Sequence, residues 1–420
     1  MDRSWAVGVV LLLWGPMASA QAPIDASPAS GPERPGLFRF GPFYLTPYLY
    51  IGTMGIDTNV FYTASERQAD FTASGGPGLE LVWPLGSQSR LTLDGGLDYL
   101  YFLRTESQRR LNGFGTALLD LRGVKTSLLA DERYLQTFSR PSFEVDTRVQ
   151  QEREGTRAQL ERRLGERLSL VLLGSRQRTR TDEQSYLGTD LGATLTQDEY
   201  RAGGELERAL TVKTSFVVGG DQSWYRFPEL PVRDGSSTRV WGGFRTGEAA
   251  LISGRALGGY RWFRLDEGPP QERGLVVAQV DVTLNLSPKT KLGSSFVRDL
   301  SYSAFATIGG TPTLLNESIE VFFDKVLARN VYFRIFARQV RVISDGDEVL
   351  VLPDEGLTVA KRNDRVREVG AELGYQFRSR VRAGVTATYT TRDSSIETFG
   401  IEGLLAGFTL QYTPPQPVFR

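Results

Sequence analysis

From Phe43 onward, apolar and polar residues alternate in runs of ten or so positions, and turn-forming residues separate the runs. Residues 91–103 show the pattern. Leu91, Leu93, Leu97, Tyr99, Tyr101 and Leu103 fall on one face; Thr92, Asp94, Gly96, Asp98 and Arg104 fall on the other. Residues 276–286 repeat it, with Val276, Ala278, Val280, Val282, Leu284 and Leu286 against Gln279, Asp281, Thr283 and Asn285. So do residues 369–377, where Val369, Ala371, Leu373, Tyr375 and Phe377 oppose Gly370, Glu372, Gly374 and Gln376. A soluble sandwich also alternates, but its strands average only about five to six residues. Runs twice that length are what a tilted strand needs to cross a bilayer.

The alternation predicts strands at 43–51, 75–84, 89–104, 110–122, 125–138, 149–164, 167–181, 198–210 and 213–226. It predicts a second set at 237–247, 251–265, 274–286, 290–303, 315–327, 330–343, 364–378, 381–393 and 399–412. That makes 18, an even number, as bacterial single-chain barrels require. Spacers after even strands are tight: Leu164-Gly165-Glu166-Arg167, Ser287-Pro288-Lys289-Thr290, Ala328-Arg329-Asn330 and Arg378-Ser379-Arg380. Spacers after odd strands are long and polar, as at 52–74, 182–197, 227–236, 304–314 and 344–363. Short periplasmic turns alternating with long external loops are the rule for transmembrane barrels. A sandwich or a propeller gives no reason for such parity. The fold expected is all-β: a transmembrane, antiparallel, up-and-down β-barrel of about 18 strands with both termini on the periplasmic side.

The start of the chain has a different pattern. Met1-Asp2-Arg3 precedes an apolar stretch from Ala6 to Trp14, and Ala18-Ser19-Ala20 follows, with Gln21 after it. A basic start, a short apolar run and a small-residue site read as a secretory signal peptide. The run is too short to span the ~30 Å hydrocarbon core. The expected organisation is therefore a signal peptide over 1–20, a Pro/Ala-rich periplasmic leader over 21–42, a barrel over 43–412 and a tail over 413–420. The closing strand, Gly407-Phe408-Thr409-Leu410-Gln411-Tyr412, is expected to end at Tyr412 rather than Phe419, because the intervening prolines cannot donate to a ladder.

Composition narrows the chemistry. Basic and acidic side chains balance at 49 each, which leaves no electrostatic footprint for nucleic acid. There is no cysteine, which fits an exported protein built without disulfides. There is no histidine either, so the commonest general base and the commonest zinc and haem ligand are missing. No enzyme activity, metal or cofactor is expected. Paired carboxylates such as Asp94 with Asp98, or Glu205 with Glu207, could in principle hydrolyse a glycoside. A wet lumen is polar by rule and accounts for them without catalysis.

By alternation the lumen-facing charged residues are Asp94, Asp98, Arg157, Glu161, Arg163, Arg201, Glu205, Glu207, Asp281, Glu320, Asp324, Arg334, Arg338 and Glu372. Opposite signs on adjacent strands either rigidify the wall as a ladder or form a charged constriction that selects solutes. Tyr260, Trp262, Trp224, Tyr99, Tyr101 and Tyr389 read as the interfacial aromatic girdle.

The opening segment carries a resemblance. Phe43-Tyr44-Leu45-Thr46-Pro47-Tyr48, then Asp57-Thr58-Asn59-Val60-Phe61 and Pro77-Gly78-Leu79-Glu80-Leu81, resemble the start of the β-barrel porin 2 family. The motifs cover residues 43–103, while the strand rhythm extends over most of the chain. Asp57 and Asn59 are residues that build turns at strand ends; a calcium or sugar contact is the alternative. The resemblance implies an outer-membrane, porin-like barrel serving export of capsular or exopolysaccharide, with periplasmic polysaccharide-export components as partners. Outer-membrane lipid and the barrel-assembly machinery are the other expected partners. A diffusion porin for small solutes and a surface scaffold or adhesin using loops 182–197 and 344–363 are the alternatives.

Overall fold

The computed structural model describes residues 38–247, 250–267, 272–305, 307–308, 311–352, 356–377 and 381–412. The expected signal peptide, most of the leader, the turn Arg378-Ser379-Arg380 and the tail from Thr413 lie outside the described residues. The strands of the wall are β1 (Phe43–Asp57), β2 (Asp70–Pro84), β3 (Arg90–Phe102), β4 (Arg110–Arg122), β5 (Thr126–Ser139) and β6 (Val149–Arg163). Next come β7 (Leu168–Thr181), β8 (Gln197–Ala209), β9 (Thr214–Arg226), β10 (Gly235–Thr246), β11 (Ile252–Leu265) and β12 (Glu272–Ser287). The last are β13 (Thr290–Tyr302), β14 (Thr313–Ala328), β15 (Val331–Ser344), β16 (Asn363–Phe377), β17 (Val381–Ser394) and β18 (Ile401–Tyr412).

Each strand pairs antiparallel with the next, and β1 pairs with β18 from Leu49↔Tyr412 to Asp57↔Leu405. The sheet is therefore a closed, 18-stranded, up-and-down antiparallel barrel. Closure pairs the donors and acceptors of every wall strand, the condition for β-structure in hydrocarbon. Side chains sort as the alternation requires. Leu97, Val276, Val369 and Val385 point outward with 48–58% of their surface exposed, which in water would be an unreasonable cost and in lipid is none. Tyr260 and Trp262 stack outward with ring centroids 4.7 Å apart, as girdle residues do.

Strand ends agree with the alternation to within two residues except at β1 and β2. Sequence reading ends the first strand at 51 and starts the second at 75, but pairing continues through Ile56↔Phe71 and Asp57↔Asp70. Gly52, Gly55, Gly75 and Gly76 make this stretch look like loop. The glycines instead permit close strand approach around a register shift between Ile51 and Met54; a Cβ on Gly55 would collide with the carbonyl of Ala406. The loop is thus 58–69 rather than 52–74. The leader also ends differently from expectation: Phe38–Phe40 pairs with Phe43–Leu45 as a short hairpin at the tight-turn end of the barrel.

The apolar outer belt is uneven. On β3 it runs from Leu91 to Tyr101, about 33 Å along the strand and about 25 Å of membrane depth at a ~40° tilt. On β7 it runs only from Leu168 to Gly174, and Arg176, Arg178 and Arg180 continue the outward face. They pair across the strand with Thr156, Glu154 and Glu152 of β6.

The two ends of the barrel are not alike. The segments after odd strands fold over the lumen and pack a core of their own from Val145, Leu191, Phe305, Leu350, Ile396 and Phe399, with their neighbours. Within them, Leu191–Leu195 forms a short helix capped by Asp190, whose carboxylate accepts from the backbone N–H of Gly192 at 2.9 Å. Asp347–Leu352, Gly356–Ala360 and Thr307–Ile308 form a small three-stranded sheet.

Candidate functional site in the barrel lumen

Residues 140–148, between β5 and β6, turn into the barrel. Pro141 ends the pairing of β5 because it has no N–H to donate. Beyond it the side chains alternate apolar and charged. Val145 is fully buried in the loop core, while Phe143 packs on the cluster of Leu314, Val340, Val342 and Val366 along the wall. The backbone carbonyls left unpaired are taken by guanidinium groups from the loops and the upper wall. Arg362 Nη1 donates to Glu144 O at 3.0 Å, Arg392 Nη1 to Phe143 O at 2.7 Å, and Arg140 Nε to Asp146 O at 2.9 Å. Arg392 also binds the Asp146 carboxylate at 2.5 Å, and Arg140 lies over the ring of Tyr62 at 3.5 Å. Such charge-assisted bonds are the strong kind.

Glu144 stands at the middle of the segment and is buried. Its carboxylate accepts from Ser303 Oγ at 2.7 Å and from the Ala304 N–H at 2.8 Å. Arg362 holds Asp364 at 2.7 Å and stacks on Phe399 at 3.8 Å. Burial pushes the Glu144 carboxyl up from its ordinary value, against the opposing pull of Arg362. Burial likewise pushes Arg148 down to about 9 and Arg233 down to about 10.

The inserted segment divides the lumen. On the side of β15–β18 lies a cavity of about 30 Å³, between Tyr62, Arg338, Glu368 and Thr390, with Arg338 3.6 Å from Glu368. On the side of β6–β14 a cavity of about 250 Å³ persists. Five arginines line it: Arg153 and Arg157 of β6, Arg201 of β8, Arg239 of β10 and Arg261 of β11. Acids hold four of them in place. Arg157 binds Asp131 at 2.7 Å, Arg201 binds Glu199 at 2.6 Å, Arg239 binds Asp221 at 2.5 Å, and Arg261 binds Asp299 at 2.8 Å. Asp131 and Asp221 are themselves buried and do not line the cavity, so the wall shows the cavity more guanidinium than carboxylate. Three buried lining atoms, Ser237 Oγ, Arg261 Nε and Gln197 Oε1, have no hydrogen-bond partner among the described residues. Water or a solute is what satisfies groups in that position. One end of the cavity is aromatic, where the Tyr302 ring packs on Tyr225 at 5.1 Å and Phe263 at 5.4 Å.

The residues expected in the lumen from sequence face it, but few of them meet at this site. Arg157 and Arg201 line the large cavity and Arg338 the small one. The rest form the ladders of the wall. Tyr48 Oη donates to Asp94 at 2.9 Å, Asp98 stands opposite Asn112, and Asp281 binds Arg255 at 3.0 Å. Glu205 and Glu207 both bind Arg245; Arg334 reaches Glu320 at 3.5 Å and Asp324 at 3.8 Å. Glu372 accepts from Tyr332 Oη at 2.6 Å, while Glu161 and Arg163 lie toward the C-terminal, tight-turn end of β6. Asp57 and Asn59 build a turn: the Asp57 carboxylate accepts from the Asn59 N–H at 2.9 Å.

Sequence reasoning missed the inserted segment and the arginines that pin it. A signal was present: Arg140-Pro141-Ser142-Phe143-Glu144-Val145 alternates charge with bulky apolar residues in what should be a polar loop. Arg239 and Arg261 were legible too, since both obey the period of two on their strands.

A closed cylinder with an apolar outside, a charged inside and an inserted external segment defines a transmembrane β-barrel of the outer-membrane kind. Among solved structures the chain is similar to OpdL from Pseudomonas aeruginosa, at 15% identity over 89% of this chain and 98% of that one, with a TM-score of 0.46. It is also similar to the copper transporter OprC, at 11% identity over 91% and 66% with a TM-score of 0.48. A third is a variant of the ferric enterobactin receptor PfeA from Pseudomonas aeruginosa, at 10% identity over 91% and 81% with a TM-score of 0.45. At these identities the likeness is one of fold. No family model matches the chain, and no curated protein is similar to it.

Proposed function

We propose that this barrel is a loop-constricted diffusion channel in the outer membrane of a Gram-negative bacterium, passing small polar solutes with a preference for organic anions. The observation that carries the reading is the row of five arginines along the open cavity beside segment 140–148. Guanidinium forks offer planar, paired donors that suit carboxylates, and the aromatic end accepts an apolar body. An anion entering there meets donors already oriented by Asp131, Glu199, Asp221 and Asp299, so little is spent on ordering them. The test is reversal potential in planar bilayers under a salt gradient. The reading requires chloride to be favoured over potassium, and requires the double variant R239A/R261A to lose that preference while the barrel still inserts. A silent bilayer, or cation preference unaffected by the variant, sinks it.

Export of capsular or exopolysaccharide, with periplasmic export components as partners, is the second reading. Its support is the resemblance of residues 43–103 to the β-barrel porin 2 family. A gene deletion that leaves surface polysaccharide unchanged counts decisively against it.

A further inference from the structure

Four charged side chains meet where the inserted segment touches the loops that cover it: Glu144 at its tip, Glu348 from the small sheet, Arg362 from the end of the same loop, and Asp364 at the start of β16. All four are buried. Arg362 is committed to Asp364 and to the backbone of the inserted segment. Glu144 uses its two oxygens to accept from Ser303 and Ala304. Both oxygens of Glu348 are buried and have no donor among the described residues. The charged neighbour that acts on Glu348 most strongly is the Glu144 carboxylate, and it acts to raise the Glu348 carboxyl. A carboxyl buried with no donor and facing a second buried carboxylate is not held ionised, so the pair keeps one proton.

Charge counting leads to the same place. Facing this pair are Arg362 and Asp364 from the 345–362 loop and β16, and Arg233 from the 227–234 loop, whose Nη2 donates to Ser303 O. The segment 303–305 contributes only neutral groups, Ser303 Oγ and the Ala304 N–H. The next charges out are Arg392 and Arg140, both held on Asp146. With every carboxyl ionised the cluster holds three negative charges against two positive; with one shared proton the count is even. A buried cluster with an unpaired charge is costly, and a neutral one is tolerated.

We infer that the proton shared by Glu144 and Glu348 is the latch that holds segment 140–148 across the lumen, so that acid closes the channel and loss of that proton releases the segment. The direction follows from which state binds the proton. Burial first, then the Glu144 charge, pushes the Glu348 carboxyl up to about 9 in the closed form, against 4.5 for a free glutamate. The closed state therefore holds a proton that the released state gives up. Its advantage is complete below the ordinary carboxyl value and declines as pH climbs toward the raised one. Across that window the closed-to-open ratio falls by up to about tenfold per pH unit.

The absence of cysteine supplies a test independent of conduction. Val145→Cys places a single thiol at a position with no exposed surface in the closed form. Maleimide labelling of V145C is compared with that of V145C/E348Q at the same pH, so that thiol ionisation cancels. Glutamine at 348 donates an N–H to Glu144 permanently and keeps the cluster neutral. The two proteins should label alike near pH ~5, and V145C should label several-fold faster near pH ~8.5, as linkage to a single proton requires. The mirror variant E144Q, which donates in the other direction, should also label slowly at both. Equal ratios at every pH, or a wild-type barrel that conducts equally at both values, would overturn the latch. Labelling that follows the expected pattern in a barrel that never conducts would instead uphold the latch and remove the channel reading.

Discussion

The two ends of this barrel are built by opposite means. At one end, strands are joined by tight turns such as Leu164-Gly165-Glu166-Arg167. At the other end the loops pack an apolar core, carry their own sheet and helix, and send one segment inward. The wall is stabilised by ladder pairing and by lipid; the cap is stabilised by burial and by arginines that satisfy a backbone with no strand partner. The cap is thus a small folded unit resting on a rigid frame. The frame can stay intact while the cap opens, and that separability is what a gated channel needs.

The sharpest way to break the contrast is at Arg362. Arg362→Ala removes the guanidinium that pairs with buried Asp364 and bonds the Glu144 carbonyl, leaving Asp364 with Ser394 Oγ and Phe143 O with Arg392. Removing one member of such a pair costs about 3–5 kcal/mol. We expect segment 140–148 to become cleavable by protease and conductance to rise, while the barrel keeps its resistance to denaturation in cold detergent. A barrel that melts with the cap would show that the two regions are one cooperative unit.

Leu373→Arg attacks the other region. Leu373 lies in the middle of the outward apolar run from Val369 to Phe377. Arginine near the bilayer midplane costs about 2–4 kcal/mol. The expected outcome is a lower denaturant midpoint for the whole barrel in lipid vesicles, with V145C labelling unchanged.

Smaller effects refine the comparison. Phe399→Leu keeps an apolar side chain but removes the ring beneath Arg362, an interaction worth about 1–2 kcal/mol when desolvated. It should raise the open probability in single-channel records without altering barrel stability. At the rim, Arg367→Ala breaks a pair with Asp393 that stands largely in water. Exposed pairs contribute little, so no change in midpoint, conductance or labelling is expected from that variant.

The wall was legible in the sequence because its physics is local. Period-two alternation at 91–103 or 369–377 needs no knowledge of the rest of the molecule, and the parity of turn lengths fixes which end is which. The ends of β1 and β2 were not legible, because four glycines that look like turn chemistry serve close approach instead: Gly55 to β18, Gly76 to β3, and Gly52 and Gly75 between β1 and β2. The site was harder still. Glu144 and Glu348 lie about 200 positions apart, and Arg362, which joins them, looks from sequence like any polar loop residue. Contacts between loops of distant hairpins follow from how the cap packs, and no periodicity encodes that. The charged wall residues were found by alternation, but alternation alone does not distinguish Arg201, which faces the cavity, from Glu207, locked to Arg245 below it.

The short greasy skirt on β7 has a consequence for the surrounding lipid. Acyl chains that meet β3 at full height must shorten on the flank of Arg176, Arg178 and Arg180, or the cylinder must lean until that flank rides out of the oil. Either way this protein dents its bilayer on one side, and neighbours in the membrane will sense from which side they approach.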